Sequence, residues 1–130
     1  MTSRSNSTTF FIVRHGETEW NVLGKVMGHT DSPLTTEGKK QAKKLARHLK
    51  NQKFDLVFSS DLGRAKETAE LIILGRGLVL ETDRILRERS YGNFEGRLST
   101  EYSRILAKKF EQKRSLPLEK QWDFRVYKEV

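Results

Sequence analysis

Cysteine is absent from this 130-residue sequence, which excludes disulfide frameworks, thiolate nucleophiles and cysteine-based metal centres. The absence fits a reducing compartment. Proline occurs only at Pro33 and Pro117, both in connections between patterned stretches. No apolar run is long enough to span a bilayer, so no membrane association is expected. The first nine residues, Met1 to Thr9, are rich in Ser and Thr and lack an apolar segment of signal-peptide length. They read as a short disordered tail preceding one domain over residues 10–130, and the lack of targeting signals points to the cytoplasm. Internal repeats and low-complexity linkers are also missing.

Charge is what the sequence has in quantity. Lys and Arg number 25 against 17 Asp and Glu, a net charge of +8, which favours anionic partners without choosing among metabolites, nucleic acid and acidic surfaces. Lys39, Lys40, Lys43, Lys44, Arg47 and Lys50 crowd one segment and read most simply as a solvated helix face. Aromatic residues are not interleaved with them as stacking platforms would be, which argues against nucleic acid.

The hydrophobic pattern alternates between strand and helix periods. Phe10 to Val13 is a short apolar run ending at Arg14-His15-Gly16, which suits a buried strand followed by a loop. Thr35 or Thr36 can cap a helix with Ala42, Leu45, Ala46 and Leu49 on one face. Phe54 to Phe58 is a second strand candidate, followed by Leu62, Ala65, Ala69 and Ile72 at helical spacing. Leu78 to Leu80 make a third short strand, and Tyr102, Ile105, Leu106 and Phe110 mark a last helix. This β-α-β-α-β-α order predicts an α/β fold with a mainly parallel sheet. Ligands of such sheets bind at the carboxyl ends of the strands. Three polar clusters fall there: Arg14-His15, Ser60-Asp61 and Arg87-Glu88.

Those clusters hold the parts of a phosphoryl-transfer site. The reaction needs a nucleophile, cations for the non-bridging oxygens and an acid for the leaving group. A neutral imidazole can attack phosphorus, and guanidinium groups match phosphate oxygens bidentately. His15 beside Arg14, with Arg64 after the second strand and Glu88 after the third, supplies each part. Gly16 would let the backbone approach an anion, and Arg64 would lie in a first helical turn, where free N–H groups also favour one. Taken singly, each residue has a plainer reading. Arg64 could be a solvated helix arginine and Asn21 a helix cap, while Glu81, Glu95 and Glu101 compete with Glu88. Trp122, Phe124 and Tyr127 could be core or an uncovered apolar patch.

Four ordered blocks carry a family resemblance. Arg14-His15-Gly16-Glu17-Thr18 with Trp20-Asn21 resembles the signature of the phosphoglycerate-mutase-like histidine phosphatase superfamily. Gly28, Asp31, Pro33-Leu34-Thr35, Gly38 and Gln41-Ala42 resemble its next block. Ser59-Ser60-Asp61-Leu62, Arg64-Ala65 and Thr68-Ala69 form a third, and Leu86-Arg87-Glu88-Arg89, Tyr91-Gly92 and Glu95-Gly96 a fourth. The resemblance implies a three-layer sandwich in which His15 is the phosphorylated nucleophile and Arg14 and Arg64 clamp the phosphoryl group. It makes Glu88 the leaving-group acid, lines the substrate pocket with Asn21, Thr18 and the backbone at Gly28, and brings Arg89 and Tyr91 to the substrate. It implies no metal.

One family element has no counterpart here. The resemblance implies a second catalytic histidine in a His-Gly motif on a late strand, placed in the sheet between the first two strands. No His-Gly follows Gly96, and the remaining histidines, His29 and His48, do not match it. The sandwich is therefore expected to be incomplete on its C-terminal side, with a homodimer or a complementing C-terminal chain as the candidate partner. Asn93-Phe94-Glu95-Gly96 resembles the phosphatase branch, which implies hydrolysis of small phosphorylated metabolites without a cofactor. The alternatives are a phosphoglycerate mutase using 2,3-bisphosphoglycerate and a phosphate-binding chain of weak activity.

Overall fold

A computed structural model describes residues 7–121. Most of the expected N-terminal tail, and Trp122, Phe124 and Tyr127, lie outside the described residues. The elements are α1 (Glu19–Val22), α2 (Thr36–His48), β1 (Val57–Ser59), α3 (Gly63–Ile73), β2 (Leu80–Thr82), α4 (Ser99–Ser115) and α5 (Leu118–Gln121). Single 3-10 turns cover Arg84–Leu86 and Gly92–Phe94.

The α/β expectation holds. β1 and β2 pair in parallel, Val57 with Leu80, Phe58 with Glu81 and Ser59 with Thr82, and α3 joins them. Helix α3 packs on both strands and on α2. The core is small: Val26, Met27, Leu34, Ala42, Leu62, Ile72 and Tyr102 are buried.

Local chemistry sets the helix limits. Of the two candidate caps for α2, Thr35 is used, its hydroxyl accepting the Gly38 N–H at 2.9 Å. Glu37 in the first turn and Arg47 and His48 in the last oppose the helix dipole with the right signs. Helix α1 carries a capping box, with Thr18 and Asn21 bonding reciprocally. At α3 the N-cap is Leu62, which has no side chain to offer, and a distant carboxylate takes over: Asp31 Oδ1 accepts the Arg64 N–H at 3.3 Å. The N-terminus of α3, expected to be open to an anion, is thus occupied by Asp31.

One strand expectation is corrected. Phe10–Val13 joins neither β1 nor β2, and Phe10 and Ile12 are 81 % and 95 % exposed. An apolar run favours extended backbone, but a strand exists only with a ladder partner, and the sheet of the described residues holds only β1 and β2. Phe11 is partly sheltered by Phe54, edge-on at 5.3 Å between ring centroids. Leu56, Phe58 and Val79 are also exposed, so apolar surface lies along this face of the sheet. The other two strands sit one to three residues from their expected places, within the usual error of element boundaries.

Backbone-to-backbone packing seats the loop after Val13. A Cβ at Gly16 would lie 2.5 Å from the Gly38 carbonyl oxygen, and one at Gly38 would overlap the Glu17 backbone. The closeness at Gly16 therefore serves α2 rather than an anion. Alanine normally improves a helix over glycine by about 1 kcal/mol. Gly38→Ala should do the opposite, costing about 1–3 kcal/mol through overpacking, as read from the urea midpoint. A midpoint equal to or above wild type would show that the loop is not seated on α2.

Candidate active site

The His15 loop is held between two helices. The Gly16 N–H donates to the Thr68 hydroxyl at 3.0 Å, and that hydroxyl donates to the Arg64 carbonyl at 2.7 Å. The Glu17 N–H donates to Gln41 Oε1 at 2.9 Å, and the Thr35 hydroxyl donates to Glu17 Oε1 at 2.7 Å. His15 is thereby fixed from α3 on one side and α2 on the other.

The imidazole is half-buried, with Nδ1 2.8 Å from the Gly16 carbonyl oxygen. A carbonyl can only accept, so Nδ1 carries the proton and neutral Nε2 keeps its lone pair. Burial lowers the His15 pKa below the ordinary imidazole value. The Gly16 hydrogen bond and the Asp31 charge oppose this, while the Arg64 and Arg14 charges add to it. The net effect favours the neutral, nucleophilic form. An open depression of about 300 Å³ adjoins the ring, lined by Arg14, His15, Glu17, Asn21 and Gln41.

Arg64 is 3 % exposed and its guanidinium is heavily used. Nη1 donates to the Thr30 carbonyl and to Asp31 Oδ1, both at 3.1 Å, and Nη2 donates to the Gly28 carbonyl at 2.7 Å. Its Nε is buried and finds no hydrogen-bond partner among the described residues. An unmet buried donor costs about 1–3 kcal/mol, so an unused Nε proton is a standing invitation to an acceptor.

The residues expected at the site separate into three groups. Arg14, His15 and Asn21 share the depression wall, and the charges of Arg64 and Arg14 both act on the imidazole, although Arg64 does not itself line that depression. Thr18 is wholly buried, its hydroxyl donating to Asn21 Oδ1 and accepting the Asn21 N–H. It presents no surface to a ligand in this conformation. The Gly28 carbonyl accepts from Arg64 Nη2. Glu88, Arg89 and Tyr91 stand on the loop after β2. Glu88 is exposed, its Oε1 accepting the Arg89 N–H at 3.1 Å, and it does not line the depression with His15. Arg89 lies over the Tyr91 ring at 4.5 Å and donates to the Tyr102 hydroxyl at 2.7 Å, which ties this loop to α4. Arg87 fixes the loop to the end of β1 by a bidentate pair with Asp61, at 2.6 and 2.5 Å. That pairing lowers the Asp61 pKa.

Sequence reasoning did not assign Asp31, Gln41 or Glu95 a place in the site. Asp31 and Gln41 stood in the second motif block, but their partners, Arg64 and the Glu17 N–H, are 33 and 24 residues away, so the pairing has no local signature. Glu95 stands in the fourth motif block, where the sequence offers it as a competitor of Glu88 but gives it no role of its own. Partial burial would raise its pKa, but hydrogen bonds from the Thr30 hydroxyl and from the His29, Tyr91 and Thr30 N–H groups lower it from 4.5 to about 2. Among the described residues no cluster of His, Asp and Glu could hold a metal, and no helix is long and apolar enough to cross a membrane.

An uncharged histidine between two arginines, on a loop at the edge of an α/β layer, defines a class of site suited to phosphate chemistry. The sequence model of the histidine phosphatase superfamily (branch 1) matches residues 10–124, and the chain belongs to that family. It is similar to phosphoglycerate mutase-like protein 4 of Arabidopsis thaliana, with 48 % identity over 96 residues, 72 % of this chain and 42 % of the relative. Among solved structures it resembles the alpha-ribazole phosphatase of Shigella flexneri, with TM-score 0.68, 37 % identity and coverage of 76 % of this chain and 49 % of that one. It also resembles the phosphoglycerate mutase of Bacillus anthracis, with TM-score 0.72, 33 % identity and coverage of 86 % and 49 %. The fold is therefore of the phosphoglycerate mutase type, and the chain spans less than half the length of the curated relative it matches.

Two measurements test this electrostatic picture. The His15 Cε1 proton should titrate below the usual imidazole midpoint of about 6.5, and Arg14→Gln should raise that midpoint by removing a neighbouring positive charge. An unmoved midpoint would mean that Arg14 does not act on the ring. For Glu95, the depressed folded-state pKa contributes stability that is fully present above pH 4.5 and fades as pH falls toward about 2. Glu95→Gln should therefore lack part of the acid-induced loss of stability seen by chemical denaturation, and identical acid limbs would refute the assignment.

Proposed function

We propose that this chain carries the nucleophile half of a phosphohistidine enzyme acting on small phosphomonoesters, with hydrolysis as the outcome. The observation that supports it best is the buried Arg64, whose charge acts on a His15 held neutral and whose Nε proton has no acceptor among the described residues. His15 Nε2 attacks phosphorus, the P–N bond forms, and the ester P–O bond breaks. Arg14 and Arg64 offset the charge on the non-bridging oxygens. Glu88 supplies the proton to the departing alkoxide. Water then attacks the phosphohistidine, gives its proton to the Glu88 carboxylate, and releases inorganic phosphate. No metal enters these steps.

Similarity to relatives named as phosphoglycerate mutases favours a second reading, in which the phosphoryl group passes to another phosphoglycerate position and 2,3-bisphosphoglycerate primes His15. The substrate is a small phosphorylated metabolite in both. The relatives' greater length leaves room for a third outcome, phosphate binding without turnover, in which a further chain or a second copy completes the pocket.

Release of p-nitrophenol from its phosphate ester in the presence of a chelator separates these readings. Wild type should turn over, and His15→Ala should lose on the order of 10³-fold or more in rate. Interconversion of phosphoglycerates without release of phosphate would favour the mutase. Turnover unchanged in His15→Ala would remove the phosphohistidine reading altogether.

A further inference from the structure

Glu95 makes more hydrogen bonds than a partly exposed carboxylate needs. Its Oε1 accepts from the N–H groups of His29 at 3.0 Å and Tyr91 at 2.9 Å, and from the Ser90 hydroxyl at 3.1 Å. Its Oε2 accepts from the Thr30 N–H at 2.7 Å and the Thr30 hydroxyl at 2.5 Å. All the partners are donors, which a carboxylate can satisfy and an amide cannot, because an amide turns one oxygen into a donor facing donors.

These bonds strap two segments that are far apart in sequence. The 90–95 turn is joined to the loop from Gly28 to Asp31, and the backbone continues the seam: the Gly96 N–H donates to the Val26 carbonyl at 2.8 Å, and the Val26 N–H to the Arg97 carbonyl at 2.9 Å. Gly28 is shaped for the strap. Its φ is +66°, and a Cβ there would overlap Glu95 Oε1 and lie 2.9 Å from the Tyr91 ring. The opposite side of the same loop holds Arg64 through the Gly28 and Thr30 carbonyls and the Asp31 carboxylate. Glu95 thus grips the N–H groups of a loop whose carbonyls grip Arg64.

We propose that Glu95 is a positioning residue that acts through the Gly28–Asp31 loop to fix the Arg64 guanidinium beside His15. This rests on the reading that Arg64 serves an oxyanion at His15. Without Glu95 the loop carbonyls lose their anchor, and Arg64 follows them away from the imidazole. The loss would be felt as weaker oxyanion binding and as a weaker positive field on the ring.

Two readouts on the whole chain keep the proposal apart from the reading beneath it. One is orthovanadate affinity by calorimetry; the other is the titration midpoint of His15 Cε1, which senses Arg64 whether or not an anion binds. Both are taken at a temperature where circular dichroism shows each protein folded. Glu95→Gln should weaken orthovanadate about ten-fold and raise the His15 midpoint. Thr30→Val, which removes only the hydroxyl donor to Oε2, should shift both in the same direction by less, and it serves if Glu95→Gln does not fold. Arg97→Gln breaks the exposed Arg97–Glu101 pair on the neighbouring segment and should move neither. A folded Glu95→Gln protein with wild-type affinity and an unmoved midpoint overturns the proposal. If wild type fails to bind orthovanadate while the midpoint still rises in Glu95→Gln, the oxyanion reading falls and the positioning of Arg64 stands. If wild type fails to bind orthovanadate and the midpoint does not move in Glu95→Gln either, both fall.

Discussion

The burial of one charge organises this chain. Arg64 is almost wholly removed from water, and an arginine cannot shed its proton to escape the cost. Its charge must be met by acceptors, and the loop from Gly28 to Asp31 supplies two carbonyls and a carboxylate. The same carboxylate takes the Arg64 N–H at the start of α3, so Asp31 serves as counter-ion and helix cap together. Without that loop, α3 would begin uncapped and a guanidinium would be buried with too few partners. The price of the arrangement is an Nε proton without an acceptor among the described residues.

The imidazole depends on that scaffold indirectly. His15 has little regular structure of its own, because the segment before it is not in the sheet. Its position comes from Gly16 and Glu17, which are bonded to Thr68 of α3 and to Gln41 of α2. Because α2 and α3 pack directly on each other, the loop is set by a rigid helix pair. The field of Arg64 then acts with burial and Arg14 to keep the ring neutral. His15 and the arginines that act on it are therefore products of one packing unit. The loop that carries Glu88 is fastened separately, by Arg87 to Asp61 and by Arg89 to Tyr102.

The sheet tells a related story. Parallel strands are ordinarily covered on both faces and flanked by neighbours. Here β1 and β2 pair while Phe10–Val13 has no ladder partner among the described residues, and Phe58, Leu56 and Val79 remain in contact with solvent. Relatives of this family are about twice as long as the matched region. Among the described residues the helix pair and its loops are packed, whereas this sheet face remains exposed.

The sequence by itself determined the order of elements, because periodicity, caps and strand-end polar clusters are local properties. It marked Thr35 or Thr36 as a cap for α2, the helical spacing from Leu62 to Ile72, and His15, Arg14 and Arg64 as candidate site residues, and its motif blocks reached the family. It promised a strand at Phe10–Val13 because apolar runs favour extended backbone, but a ladder partner is not a property of the run. Only the tertiary structure decided that Asp31 and Glu95 matter, since each acts on groups about 30 to 66 residues away. It also decided that Thr18 faces inward and that Gly16 makes room for α2. The reason is physical: propensity and patterning act over a few residues, whereas the acceptors of a buried charge are recruited from wherever the chain happens to pass.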